Sequence, residues 1–176
     1  DYDYLISNSA GCGAFMKDYA HLLEDDPAYA EKAKRFSSKV KDVMEFFAEQ
    51  KPELKFNIEL GPELTTYHDA CHLIHAQKIS TQPREVIKSL PGVEYKELEE
   101  ASWCCGSAGI YNVVRYDDAV KQLERKMNNI KNTNAKIVLT GNPGCMGQIK
   151  HGTKKFNVDV EVLHPVTLIK RMLISK

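Results

Sequence analysis

The sequence predicts an α/β domain on a mainly parallel sheet, and three observations point there. Short β-branched and aromatic runs alternate with helical periodicities along the whole chain, as strands joined by crossover helices do. The cysteines fall between a strand and a helix. The composition is that of an ordinary globular chain, with 176 residues, 43% hydrophobic and 27% charged. Lys plus Arg (24) balance Asp plus Glu (24), so no global field attracts nucleic acid or anionic lipid. No apolar run approaches the roughly 18 residues that a membrane helix needs, and no signal-peptide pattern opens the chain. It begins at Asp1, with no initiator Met, and runs directly into a strand, which reads as a segment of a longer protein or as the product of processing.

Residues 4–7 form the first expected strand, ending in Asn8-Ser9-Ala10-Gly11-Cys12-Gly13. A helix over 14–23 stops where Glu24-Asp25-Asp26-Pro27 breaks the pattern. A longer helix is expected over 27–50. Ala30, Ala33, Phe36, Val40, Val43 and Phe47 keep helical spacing there, and Pro27 suits a first turn. Its apolar face is expected on its own sheet, with a partner subunit as the other candidate. Residues 51–63, with two prolines and a glycine, read as a linker.

A second unit follows. Residues 64–68 read as a strand, leading through Asp69-Ala70-Cys71-His72 into a short helical stretch. Pro83 opens a helix that stops at Leu90, because Pro91-Gly92 is a turn signal. A strand over 93–98 leads to Cys104-Cys105-Gly106-Ser107-Ala108-Gly109. Asp117 or Asp118 is the expected cap of a helix whose buried stripe is Ala119, Leu123, Met127 and Ile130. A buried strand over 136–140 runs into Gly141-Asn142-Pro143-Gly144-Cys145. A helix, a short strand near 158–163 and a closing helix from Pro165 complete the chain.

Five cysteines, Cys12, Cys71, Cys104, Cys105 and Cys145, are too few and too unevenly spaced for a secreted disulfide scaffold. In a parallel sheet all strand-to-helix loops lie on one edge, so topology brings these distant residues to one crevice. Helix N-termini there favour thiolate over thiol. One cysteine alone reads first as a small buried hydrophobe. Adjacent thiols in the glycine-rich Cys104-Cys105-Gly106 loop have little packing rationale, and the set reads as a sulfur metal site. Thiolate chemistry alone leaves iron–sulfur and zinc both open. His68, His72 and His75 surround Cys71; they read either as solvated or, for His72, as a hydrogen-bond partner of a bound cluster. His164 follows a strand on the same edge. Gly106, Gly109 and Gly144 lie in no Walker or dinucleotide fingerprint, which argues against nucleotide binding. An internal repeat is also present: 5–12 parallels 138–145, each a strand followed by Gly-Cys.

The spacing of Cys71, 32 residues, Cys104-Cys105, 39 residues beginning at Gly106, Cys145 resembles the CCG (cysteine-rich) motif. That motif is shared by heterodisulfide reductase catalytic subunits and by lactate- and glycolate-oxidising iron–sulfur subunits. Tyr67-His68-Asp69-Ala70-Cys71-His72-Leu73, Cys104-Cys105-Gly106-Ser107-Ala108-Gly109-Ile110-Tyr111 and Gly141-Asn142-Pro143-Gly144-Cys145 are most similar to the C-terminal part of glycolate oxidase iron–sulfur subunits. The resemblance implies two pseudo-repeated CCG halves: 1–61, the end of an incomplete first half with its helix and linker, and 62–176, the second. It implies Cys71, Cys104, Cys105 and Cys145 as ligands of a [4Fe–4S] cluster, with Cys12 as a further cofactor-binding residue and zinc as the alternative metal. Gln148 stands where the fullest motif ends in a second Cys-x-x-Cys sulfur, and Phe15 holds the matching place after Cys12. Both depart from the five-cysteine, non-cubane pattern.

The implied function is electron transfer in a 2-hydroxy-acid oxidising complex. The partners would be a flavin-containing oxidase subunit and a ferredoxin-like iron–sulfur segment, with no general acid or base supplied by this chain. The implied location is the cytoplasm, including the inner face of the membrane. The alternatives are a thiol–disulfide reductase acting at an open cluster site and a zinc-stabilised interaction module. On the electron-transfer reading the chain is an oxidoreductase subunit and not a complete enzyme alone; the reductase reading leaves open that the domain itself acts on a disulfide.

Overall fold

The computed structural model describes residues 2–57 and 63–173, so part of the expected linker, 58–62, lies outside the described residues. Every strand pairing is parallel. β1 (Leu5–Ser7) and β2 (Val40–Asp42) form a two-stranded sheet with Leu5 opposite Val40 and Ser7 opposite Asp42. β3 (Leu64–Tyr67), β4 (Glu94–Tyr95), β5 (Ile137–Leu139) and β6 (Glu161–Leu163) form a second sheet in the order β4-β3-β5-β6. Phe56 and Leu173 add one isolated antiparallel bridge.

Helices cover both faces of the larger sheet, because its central strand is apolar on both sides. Val138 of β5 and Val162 of β6 face a core that includes Leu123, Met127 and Ile130 of α6 (Tyr116–Thr133) and Ile149 of α7 (Pro143–Lys155). Ile137, Leu139 and Leu163 face the opposite core. That core holds Val43 and Met44 of α3 (Val43–Gln50), Val86 and Ile87 of α4 (Thr81–Ser89), and Leu168 and Ile169 of α8 (Pro165–Met172). Alternation along three-residue strands thus feeds two apolar layers, the arrangement of a buried parallel sheet. α1 (Ala10–Leu22) and α2 (Ala30–Lys39) accompany the small sheet, and α5 (Tyr111–Val114) is a single turn. Among the described residues no helix is long and apolar enough to cross a membrane.

The expected helix over 27–50 is instead two helices with a strand between them. Ser37 Oγ donates to the Met16 carbonyl and accepts from the Ala20 N–H, both at 3.0 Å, fixing α2 against α1. Val40, β-branched, then pairs with Leu5. Asp42 caps the restart: its carboxylate accepts from Met44 N at 2.8 Å, and Glu45 accepts from Asp42 N at 3.0 Å. That capping box was written in the sequence as Asp-x-x-Glu, but the continuous apolar spacing concealed it. The apolar face of α3 packs on its own sheet.

Asp42 is 2% exposed. Burial pushes its carboxyl up to about 6, opposed by the Met44 N–H. A folded pKa above the unfolded one gives stability that is complete below the unfolded pKa and is lost as pH rises through about 6. Asp42→Asn keeps an oxygen for Met44 N and cannot ionise. It is expected to exceed the wild type by roughly 1–3 kcal/mol at pH 8 and to lose that advantage at pH 4, as read by urea titration at both pH values.

Three smaller differences bear on the site. α1 starts at Ala10 rather than 14, so Cys12, like Cys145 in α7, is the third residue of a helix and not a residue preceding one. β4 has only two residues of the expected 93–98. Arg115, not an aspartate, precedes α6; Asp117 and Asp118 occupy its first turn, and Arg115 Nη2 holds Asp118 at 2.6 Å.

Candidate metal centre

In the order β4-β3-β5-β6 the chain leaves β3 toward one side of the sheet and β5 toward the other. The crevice between their carboxyl ends is the topological switch point, where open α/β sheets bind ligands. His68 stands at its floor, its backbone N–H bonded to the Leu139 carbonyl at 2.9 Å just beyond β3. Ligand atoms of His68, Cys105 and Cys145 all lie within 4.8 Å of one another, and all three residues are buried. Cys71 and Cys104 line the same cavity, together with His72, Ser107 and Asn142. All five cysteines are free thiols.

Each sulfur is held by its own device. Cys71 precedes a π-helical turn (His72–Ala76), a geometry often found at functional sites. Two residues earlier, Asp69 is clamped by Arg84 through two 2.8 Å bonds, and its backbone N–H reaches the Ala101 carbonyl at 3.1 Å. The Cys104-Cys105 loop turns at Gly106, where φ is +87° and an added Cβ would stand 2.4 Å from the Ala119 carbonyl oxygen of α6. Only glycine permits both. Gly106 N donates to Cys104 Sγ at 3.3 Å. Cys145 sits in the first turn of α7, where the helix dipole favours thiolate, and Asn142 Nδ2 donates to its sulfur at 3.6 Å. The other atom of that amide, Oδ1, accepts from Gly11 N at 3.3 Å, and Ala10 N bonds to the Gly141 carbonyl at 3.0 Å. The first turn of α1 is therefore docked on the Cys145 turn.

The neighbouring Cys105 thiol is the largest influence lowering Cys104 and Cys145, in each case against the effect of burial. His68 and Asn142 add to the effect at Cys145. Those two sulfurs, with burial, push Cys105 far up. Burial raises Cys71, followed by the charges of Cys145 and Cys104. The buried sulfurs of Cys105 and Cys145 beside the His68 imidazole form a site in which a cation can take the place of thiol protons.

The structure gathers Cys71, Cys104, Cys105 and Cys145 and leaves Cys12 apart. Cys12 is exposed on α1 and does not line the cavity. His72 lies on the rim, with Nδ1 3.6 Å from Cys71 Sγ. His75 is exposed, and His164 instead caps α8, accepting from Val166 N at 3.2 Å. Gln148 is buried, with Oε1 accepting from Asn112 Nδ2 at 3.0 Å in a neighbouring cleft. His68 could not be ranked above His72 and His75 from spacing alone. The signal for it was its place as the first residue after β3.

The donor set suits iron or zinc: soft thiolates with one imidazole, and none of the oxygen ligands that magnesium or calcium requires. His68 Nδ1 is also buried without a hydrogen-bond partner among the described residues, a condition that buried polar atoms rarely tolerate.

The family described as "Cysteine-rich domain" (CCG) matches residues 65–150. The chain contains a CCG cysteine-rich domain. That domain runs from β3 into α7 and encloses His68 and the four gathered cysteines. The chain is 44% identical over 159 residues to the probable glycolate oxidase iron-sulfur subunit of Bacillus subtilis, covering 88% of this chain and 35% of that protein. It is 32% identical over 172 residues to one subunit of the fumarate reductase (CoM/CoB) of Methanothermobacter marburgensis, covering 96% of this chain and 32% of that one. It is 28% identical over 165 residues to lactate utilization protein A of Bacillus licheniformis, covering 92% and 68%. The chain thus spans about a third of the length of the first two. Its CCG domain is related to iron–sulfur-type subunits of oxidoreductases.

Proposed function

We propose that the CCG domain holds an iron–sulfur cluster through Cys71, Cys104, Cys105 and Cys145, and that a substrate thiol or disulfide meets the cluster at a position these cysteines do not fill. The observation that carries this reading is the buried His68/Cys105/Cys145 triangle. Within that triangle only three donors converge to 4.8 Å, one of them an imidazole, whereas four are the usual complement of a [4Fe–4S] cluster, and this supports a place for an exogenous sulfur. Bound there, a cluster supplies one-electron steps and an iron that accepts a sulfur ligand.

The chain's residues bind, orient and tune. N–H groups from Gly106 and Asn142 point at two sulfurs, the kind of contact that adjusts a cluster's potential. Ser107 and Gly109 line both the cysteine cavity and the cleft beside it, which gives a substrate sulfur an approach. The reaction balances as RS–SR′ + 2 e⁻ + 2 H⁺ → RSH + R′SH. Oxidation of one 2-hydroxy acid to its keto acid at a flavin-containing partner, through a ferredoxin-like iron–sulfur segment, would release the two electrons and two protons consumed.

The second reading is an electron relay within a glycolate- or lactate-oxidising complex, favoured by the 44% identity with the Bacillus protein so named. The placement of Cys12 and Cys145 at the same helical position supports reading 1–61 and 62–176 as parts of two related CCG repeats.

Iron, sulfide and zinc analysis of anaerobically reconstituted protein comes first, followed by an alkanethiol titration watched by EPR. A cluster signal that changes as thiol binds is the expected result. An unchanged signal, with reduction by a reduced flavoprotein, would leave the relay. Zinc with no iron would remove both and leave a structural module. His68→Ala is expected to weaken Co²⁺ or Zn²⁺ binding by about 10–100-fold, while His72→Ala changes it by less than about threefold; competition with a chromophoric chelator measures both.

A further inference from the structure

α6 carries a cation on the face that should be purely apolar. Lys126 falls among Leu123, Met127 and Ile130 and is fully buried, with 0% exposure. Its Nζ donates to the carbonyls of Glu100 and Ala101, the latter at 3.3 Å. Carboxylates in the neighbourhood are already taken by arginines: Asp69 and Glu97 by Arg84, and Glu100 by Arg125. Among the described residues, then, an ammonium is buried with hydrogen bonds but without an ion pair, a state that strongly disfavours the charged form. Burial does push it down to about 8; of the groups that pull it back up, the Cys105 sulfur comes first, followed by Glu100, Asp69 and Cys104.

Its position is as telling as its charge. The Ala101 carbonyl accepts from Lys126 and also, at 3.1 Å, from Asp69 N. One oxygen, three residues before Cys104, therefore ties α6 to the segment leading to Cys71. Four thiolates around a divalent metal carry a net charge of −2, and the low dielectric of the interior makes a nearby cation effective.

We propose that Lys126 is a positioning residue and the buried counter-charge of the cysteine site, holding the 100–101 carbonyls in place and balancing the anionic sulfur–metal group above them. This rests on the reading that the cysteines bind a metal, and not on which metal or which reaction. It explains why a lysine occupies a stripe where leucine or methionine would pack at lower cost.

The test uses the whole chain with its thiols reduced, and Co²⁺ and Zn²⁺ as probes. Lys126→Met is expected to fold, to bind Co²⁺ about 10–100-fold more weakly, and to move the midpoint potential of the reconstituted cluster to a more negative value. Lys126→Arg, which keeps the charge, should stay within about threefold of the wild type. A Lys126→Met protein with wild-type thermal stability, Co²⁺ affinity and potential would overturn the proposal and make the lysine a structural plug. Should Lys126→Met not fold, NMR of ¹⁵N-lysine-labelled wild type decides: its buried ammonium resonance should shift on adding Zn²⁺, and a bound zinc that leaves it unmoved overturns the proposal. Wild-type protein that takes up neither zinc nor iron would remove the metal site itself, and the counter-charge with it.

Discussion

A chain carrying Cys104→Ser and Cys105→Ser together is expected to retain no iron after reconstitution, where the wild type should hold about four per chain. Its affinity for Co²⁺ or Zn²⁺ should fall by at least about 100-fold. The effect is large because Cys105 is the hub: its sulfur joins those of Cys104 and Cys145 and lies within ligand reach of His68. Removing the pair leaves Cys71, Cys145 and His68 as the soft donors lining the cavity, too few to hold a cluster. Cys105 belongs to one of the two cores at 0% exposure, so some stability is lost, but both substituted residues lie in a loop and the remaining core residues are untouched, and the fold should persist. Circular dichroism beside iron analysis separates the two causes. Cys12→Ser, exposed on α1, should keep its iron content; a loss there would bring Cys12 back into the ligand set.

Gly106→Ala should be the most destabilising single methyl that can be added to the cysteine loop, by about 2–4 kcal/mol. Two penalties coincide. A φ of +87° is one that an L side chain rarely adopts, and the new Cβ would sit 2.4 Å from a helix carbonyl oxygen that cannot move alone. Relief requires the loop to lift off α6, which would carry Cys104 and Cys105 away from Cys145, so metal affinity should fall with stability. Gly109→Ala isolates the first penalty, with φ of +64° and nothing within 4 Å, and should cost about 1–2 kcal/mol. Gly147→Ala, inside α7 and facing open space, should be neutral or stabilise by about 0.5–1 kcal/mol. Urea unfolding of the three variants gives the order directly. A Gly106→Ala protein as stable as Gly109→Ala would mean that the loop does not rest on Ala119 in solution.

Much of this molecule was legible in one dimension. Strand and helix alternation gave the parallel α/β class, because period-2 and period-3.6 patterns are properties of local sequence. The cysteine spacing marked the CCG domain, and the strand-to-helix position of each thiol predicted a common edge. Reading failed where a local signal was masked by a stronger one. The apolar spacing from Ala30 to Phe47 is continuous to the eye, but the Asp42–Glu45 capping box interrupts it, and a three-residue strand is too short to declare a period of its own.

Other features exist only in three dimensions. Which histidine joins the buried Cys105–Cys145 pair depended on register: His68 lies one residue beyond β3 and bonds to Leu139 across the sheet, whereas His72 stays at the exposed rim beside Cys71 and His75 is exposed. That Cys12 stands outside a cavity shared by the other four was set by where α1 docks, through Ala10 and Gly11, on the Cys145 turn. That Lys126 is buried was set by the loop that closes over α6. Local patterns within a few residues were enough for the α/β class, most of the elements in their order, and the edge at which four of the five thiols gather. Tertiary structure alone decided which sulfurs come together, which imidazole joins them and that Lys126 is buried, because each depends on distances of a few ångströms between segments far apart in the chain.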